Sequence, residues 1–261
     1  MLPSSALTFP SVNCFIPDAD KVVPRKGKTL LGQEYTDNVG IVSNHKKYTN
    51  VYGLEFEVRA WQSGDARGDV IEVLYTNPNT GSTLWIPLTE ATNPLSIGLF
   101  KQVGDKLVRP YWFAEWFDTE LGGISLNLQR LVWVNGTNDI FSWTGGIAPV
   151  VSLTATTITT TAGTTWAQQG FVDPAFGGSG NIVVNGVVYV VTAGWGTDTL
   201  TMASTAGINI DDVVTTQIEV DSAPSNVTFD VVSQINNYCT YGSWDTRNLW
   251  TSNAFNKIAT Q

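Results

Sequence analysis

Hydrophobic and polar positions alternate with a period of two along much of this chain. From Val51 onward, Leu54, Phe56, Val58 and Ala60 fall on one side of an extended segment while Glu55, Glu57 and Arg59 fall on the other, the pattern of a half-exposed strand. The turn SGDARGD follows, and Val70 to Thr76 and Thr83 to Leu88 continue as strands separated by Asn77-Pro78-Asn79-Thr80-Gly81, a turn by its residues. In LVWVNGTNDIFSWTGG, Leu131 to Gly146, Val132 and Val134 share one face and Leu131 and Trp133 the other. Phe141 and Trp143 alternate there against Ile140 and Ser142, and Asn135-Gly136 predicts a tight hairpin turn, because Asn-Gly supplies the positive φ values such a turn requires. The arrangement recurs in NIVVNGVVYVVT, Asn181 to Thr192, about Asn185-Gly186, and in TFDVVSQINNYCTYGS, Thr228 to Ser243, about Asn236-Asn237. Repeated hairpins predict a mostly-β chain built of antiparallel sheets.

The same pattern divides the chain. Residues 1–50 carry short apolar pieces broken by Pro3, Pro10, Pro17, Pro24, Gly27, Gly32 and Gly40, which predicts an extended N-terminal arm and first strands. Proline spacing prevents a long helix there, and Leu7, Phe9, Val12, Phe15 and Ile16 are expected to dock on a sheet or a neighbouring subunit. Residues 51–125 form an N-terminal β domain. Within it, RPYWFAEWF, Arg109 to Phe117, is the aromatic maximum; it reads as a short helix or turn opened by Pro110, since a strand would have a mixed second face. Eight of the twelve residues from Thr154 to Thr165 are threonine, a strand former. With Trp166, Phe171, the glycine-rich run Phe176 to Gly180, the second hairpin and DTLTM at Asp198 to Met202, they predict a small β module inserted at 152–222 between the hairpins of 126–151 and 223–261.

Composition narrows the function classes. Of 261 residues, 43% are hydrophobic and only 14% charged, against about 25% charged in ordinary globular proteins. A neutral, hydrogen-bonding surface suits a subunit packed among neighbours. The net charge of −9 is scattered, and gripping nucleic acid needs clustered Lys and Arg. The basic segment KVVPRKGK, Lys21 to Lys28, and Lys46-Lys47 therefore read as solvated or subunit-contacting residues, and no specific nucleic-acid binding is expected. If the subunit surrounded passing DNA, the wall would be acidic or neutral. Cys14 and Cys239 are expected to be free buried thiols. His45, in SNHKKYTN, is the only histidine and is expected in a loop; with two distant cysteines it gives no zinc spacing, and no HExxH, GxSxG or P-loop pattern occurs. No catalytic, metal or cofactor residue is therefore assigned. The first residues, MLPSSALTFP, lack the features of a secretory signal, and no apolar run approaches the roughly 18 residues of a membrane span, so membrane insertion is not expected. Asn135-Gly136-Thr137 and Asn226-Val227-Thr228 match the glycosylation acceptor pattern but read as turn and strand-edge residues.

Two binding or catalytic alternatives stand beside assembly. Glu115 and Asp118, flanked by Trp112 and Trp116, are the candidate carboxylate pair of a glycoside hydrolase, because indole faces stack on sugars and apolar surroundings raise a carboxyl pKa. A non-catalytic carbohydrate- or receptor-binding module would instead use exposed Trp and Asn side chains on loops.

Ser243, Asp245 and Trp250 stand at three of the five positions of the S-x-D-x-G-x-T-W Asp-box of propeller hairpins, with Arg247 and Leu249 in place of its glycine and threonine. LVWVNGTNDIFSWTGG followed by FDVVSQINNYCTYGSWDTRNLW resembles successive strands of a β-propeller blade. The ordered set RKGKTLLGQ (Arg25 to Gln33), GLEFEVRAW (Gly53 to Trp61), YWFAEWFD (Tyr111 to Asp118), the NGT hairpin, the TWAQQGF run and VVSQINNYCTYGS resembles virion structural proteins of tailed bacteriophages, particularly tail-associated subunits with propeller-like repeats. The resemblance implies a non-enzymatic subunit located in the virion and assembled in the host cytoplasm, in contact with other virion subunits and with copies of itself. It brings no catalytic residues. About one blade can be counted, where a closed propeller needs at least four, so the propeller-like region is partial and is completed by further chain or by neighbouring subunits.

Overall fold

A strand whose two faces are both apolar has to be covered on both sides, and this decides the layering here. The computed structural model describes residues 14–18, 21–24, 40–63, 70–78, 80–88, 101–103, 106–108, 111–121, 124–136, 140–221, 228–235, 238–243, 249–252 and 259–260. Strands β1 (Cys14–Asp18) and β2 (Lys21–Pro24) pair as an antiparallel hairpin. β3 (Gly40–Thr49), β4 (Glu55–Ser63), β5 (Val70–Thr76) and β6 (Thr83–Pro87) form a four-stranded meander. After the short pair β7 (Lys101–Val103) and β8 (Lys106–Val108), strands β9 (Trp112–Leu121), β10 (Ile124–Val134) and β11 (Ile140–Trp143) begin a second sheet. The chain then runs through β12 (Ile147–Pro149), β13 (Ser152–Leu153), β14 (Thr157–Thr159), β15 (Asn181–Val184), β16 (Val187–Ala193), β17 (Thr199–Met202) and β18 (Val213–Thr216). It returns as β19 (Glu219–Asp221), which pairs with β11 and completes the second sheet. A third four-stranded meander follows: β20 (Val231–Ile235), β21 (Tyr238–Gly242), β22 (Leu249–Ser252) and β23 (Ala259–Thr260).

The second sheet is the middle layer. Leu131, Trp133, Phe141 and Trp143 face the first meander, where they pack with Tyr48, Phe56, Val58, Ile71 and Val73. On its other face Val132, Val134, Ile140, Ala114 and Trp116 pack with Phe229, Val232, Cys239 and Tyr241 of the third. The alternation expected at 131–134 and 140–143 is present, and both faces are buried. The two hairpins compared with strands of one blade, β10–β11 and β20–β21, lie in separate sheets that face each other.

Three expectations are corrected. RPYWFAEWF is not a helix: from Trp112 it belongs to β9, paired with β10 from Val134↔Trp112 to Gln129↔Phe117 and beyond. Its mixed second face is no obstacle, because Tyr111 and Phe113 join one core and Ala114 and Trp116 the other. Second, β10 and β11 are not joined at a two-residue Asn135-Gly136 turn, since β10 ends at Val134 and β11 begins at Ile140. Gly136, at φ 77°, donates its N–H to the Phe229 carbonyl at 2.7 Å, so it serves packing against the third sheet. Third, His45 sits on β3, not in a loop. The Asn185-Gly186 turn is as expected, with φ of 50° and 77° between β15 and β16.

The inserted strands surround their own core, made by Ile158, Trp166, Phe171, Ile182, Val184, Leu200 and Val214 among others. Their sheet order is β12-β18-β15-β16-β17-β14-β13. Because β12 and β13 are consecutive pieces of one chain segment, the two ends of this order are tied together and the sheet rolls round that core. On β14 and β17 the threonines alternate outward, Thr157 opposite Thr201 and Thr159 opposite Thr199, flanking inward Ile158 and Leu200.

Candidate functional site

The residues singled out by sequence are placed first. Glu115 projects from β9 at the rim of the first core, where one carboxylate oxygen accepts from Gln129 Nε2 at 2.7 Å and the other lies 3.2 Å from Lys46 Nζ. Lys46 thus bridges the two facing sheets. Asp118 lies on β9 opposite Leu128, three positions from Glu115 and therefore an odd step along the strand; its side chain is outside the described residues. Trp116 is buried in the second core and Trp112 is exposed, so the two indoles do not form one platform. His45 pairs with Glu57 at 2.6 Å and Lys47 with Glu55 at 2.7 Å, both across β3 and β4. Ser243 is buried after β21, Trp250 pairs opposite Tyr241, and Asp245 is outside the described residues, as are residues 25–28 of the basic segment and Asn236-Asn237. Cys239 is buried on β21, whereas the side chain of Cys14 lies outside the described residues. Among the described residues no group of three His, Cys, Asp or Glu is gathered as a metal site, and no helix is long and apolar enough to cross a membrane.

What the sequence did not show is the junction between the inserted module and the first two sheets. Three polar side chains hold it. Arg130, 3% exposed on β10, pairs with Glu219 on the returning β19 and donates from Nη2 to the Gly177 carbonyl of the module at 2.7 Å. Asn50, 2% exposed after β3, accepts from the Tyr52 and Leu54 N–H groups at 3.0 Å and donates to the Gly170 carbonyl at 3.3 Å. Thr216 donates its hydroxyl to the Gly145 carbonyl, joining the two chain segments that connect module and sheet. Close approach requires glycine: a Cβ on Gly170, at φ 94°, would lie 2.8 Å from Asn50 Nδ2 and 3.0 Å from Phe56 Cζ.

Beside this junction a cleft of about 390 Å³ opens between Leu54, Glu55, Phe56, Leu74, Tyr75, Thr76 and Pro78 of the first sheet and Ile147, Pro149, Thr161, Gln168 and Gln169 of the module. Its size is that of small-ligand sites. Tyr75 is 6% exposed and its Oη is buried without a hydrogen-bond partner; burial first, then the Asp211 charge, raises its pKa, so it stays a phenol. Among the described residues of the lining Glu55 is the only ionisable acid or base besides Tyr75, and it is paired with Lys47. The arrangement can bind through hydrogen bonds and apolar contact. Comparison with protein-family models, curated proteins and solved structures gave no match.

Proposed function

We propose that this protein is a structural subunit of a bacteriophage virion, associated with the tail and acting through protein–protein contacts with copies of itself and with other virion subunits. The observation that carries the assembly part is where the exposed apolar side chains lie. Val151, Leu153, Phe176, Val187, Val190 and Ile210, six of the eleven large hydrophobic residues exposed among those described, lie on the chain from β12 to β18, with Val190 63% exposed. Val151 and Ile210 sit on neighbouring segments, because the Val150 and Asp211 backbones are hydrogen-bonded side by side (Val150 N to Asp212 O and Asp211 N to Val150 O, each 2.8 Å). Water-exposed apolar area of this kind favours protein contacts, and a module clamped by Arg130 and Asn50 presents it in a fixed orientation. The virion and tail setting is supported by the ordered motifs of the sequence.

Mass photometry of the purified chain across the submicromolar range, with analytical ultracentrifugation up to tens of micromolar, tests the reading. Oligomers are expected, and Val190→Lys together with Val151→Lys should disperse them with little change in melting temperature. A monodisperse monomer over that whole range would overturn self-assembly.

A further inference from the structure

The cleft at the module junction has a chemistry that assembly does not use. Its walls differ. Leu54, Leu74, Ile147 and Pro149 give an apolar side over the buried Phe56 and Tyr75 rings, while the module contributes Thr161, Gln168 and Gln169. The two amides are each half engaged. Gln168 accepts with Oε1 from the Thr165 N–H at 2.8 Å, leaving its NH₂ group; Gln169 donates from Nε2 to the Thr160 hydroxyl, leaving its carbonyl. The Thr165 N–H fixes which end of the Gln168 amide is which, and Gln169 is oriented with Nε2 on the Thr160 hydroxyl. Adjacent residues of one short 3-10 turn, Ala167–Gln169 and its neighbours, thus hold out a donor and an acceptor together. Tyr75 lines the same cleft with its ring, its hydroxyl being buried beneath the surface.

A ligand hydroxyl both donates and accepts, so neighbouring hydroxyls on one ring can meet the Gln168 NH₂ and the Gln169 carbonyl at once while the ring's C–H face rests on Leu54, Leu74 and Ile147. Charge selects against the other ligands of this size. The one carboxylate is paired with Lys47 at 2.7 Å, and the lining has neither a cation to hold an acidic group nor an unpaired acid to hold a base. We propose that this cleft binds a neutral saccharide of one or two sugar units, held by Gln168 and Gln169 over the apolar wall. The inference does not rest on the assembly reading: a monomer would carry the same cleft.

Titration calorimetry of the full chain with maltose, cellobiose, lactose and N,N′-diacetylchitobiose, each to about 10 mM, where even a millimolar site fills, is the test. At least one should bind, and Gln168→Ala, on an exposed side chain, should weaken it about tenfold, the loss of roughly one hydrogen bond, while lowering the melting temperature by only a few degrees for the lost Thr165 N–H bond. Tyr75→Phe, which removes a hydroxyl buried out of a ligand's reach, should leave both binding and fold intact. No binding of any of the four sugars, binding that Gln168→Ala leaves unaltered, or tighter binding of glucuronate or of a capped neutral tripeptide would overturn the proposal.

Discussion

Replacing Arg130 by methionine keeps most of the aliphatic stem and removes the charge that joins three parts of the molecule. The guanidinium, 3% exposed, contacts the Glu219 carboxylate and the Gly177 carbonyl. Hydrogen bonds of charged groups contribute about 1.5–3 kcal/mol each, and removing one partner of a buried ion pair costs about 3–5 kcal/mol because the other charge stays behind. Glu219 keeps 24% of its side chain in water and can rehydrate in part, so the lower half of that range applies, about 3–4 kcal/mol. For a chain of this size each kcal/mol shifts the melting temperature by about 2–4 °C, and thermal unfolding followed by circular dichroism should show a loss of about 6–16 °C. The damage should be local. Amide exchange is expected to quicken at residues 174–178 while β15 and β16, which use the module's own core, keep their protection. Adding Glu219→Gln should recover part of the loss by removing the stranded charge. A melting temperature within about 1 °C of wild type, with unchanged exchange at 174–178, would refute the reasoning that Arg130 clamps the module.

Two further outcomes are expected. Gly186→Val places a β-branched residue at φ 77° and should cost at least about 1–2 kcal/mol; Gly194→Ala should cost more, since its Cβ would lie 2.0 Å from the Thr199 carbonyl oxygen at φ 105°, and urea denaturation of both variants checks the order. Burial raises the Tyr48 pKa above the value of about 10 that it has when unfolded, with Arg130 opposing and Glu115 adding to the shift. The folded state therefore holds this proton where the unfolded state releases it, so stability is full below about pH 10 and falls above it. Tyr48→Phe, despite losing the 2.6 Å bond to the Gln129 carbonyl, should flatten the alkaline part of a stability–pH profile, and an equally steep fall in the variant would contradict the assignment.

Local pattern determined a good deal of this protein. The alternation of Leu131, Val132, Trp133 and Val134 fixes which side chains share a face, because successive residues of a strand point to opposite sides whatever lies beyond. Asn185-Gly186 fixes its turn, because only residues tolerant of positive φ fit there. The mostly-β character follows from such segments repeated. The state of Trp112 to Phe117 was decided elsewhere: its apolar residues satisfy a helix or a strand, and the partner β10, with cores on both sides, makes the strand the better hydrogen-bonded and better buried choice. Nor could periodicity show the junction. Arg130 meets Glu219 across 89 positions and Gly177 across 47, and the cleft joins residues 54–78 to residues 147–169. Conformational preference acts between covalent neighbours, whereas a buried charge or an unused hydroxyl acquires its surroundings only when distant segments close round it and exclude water.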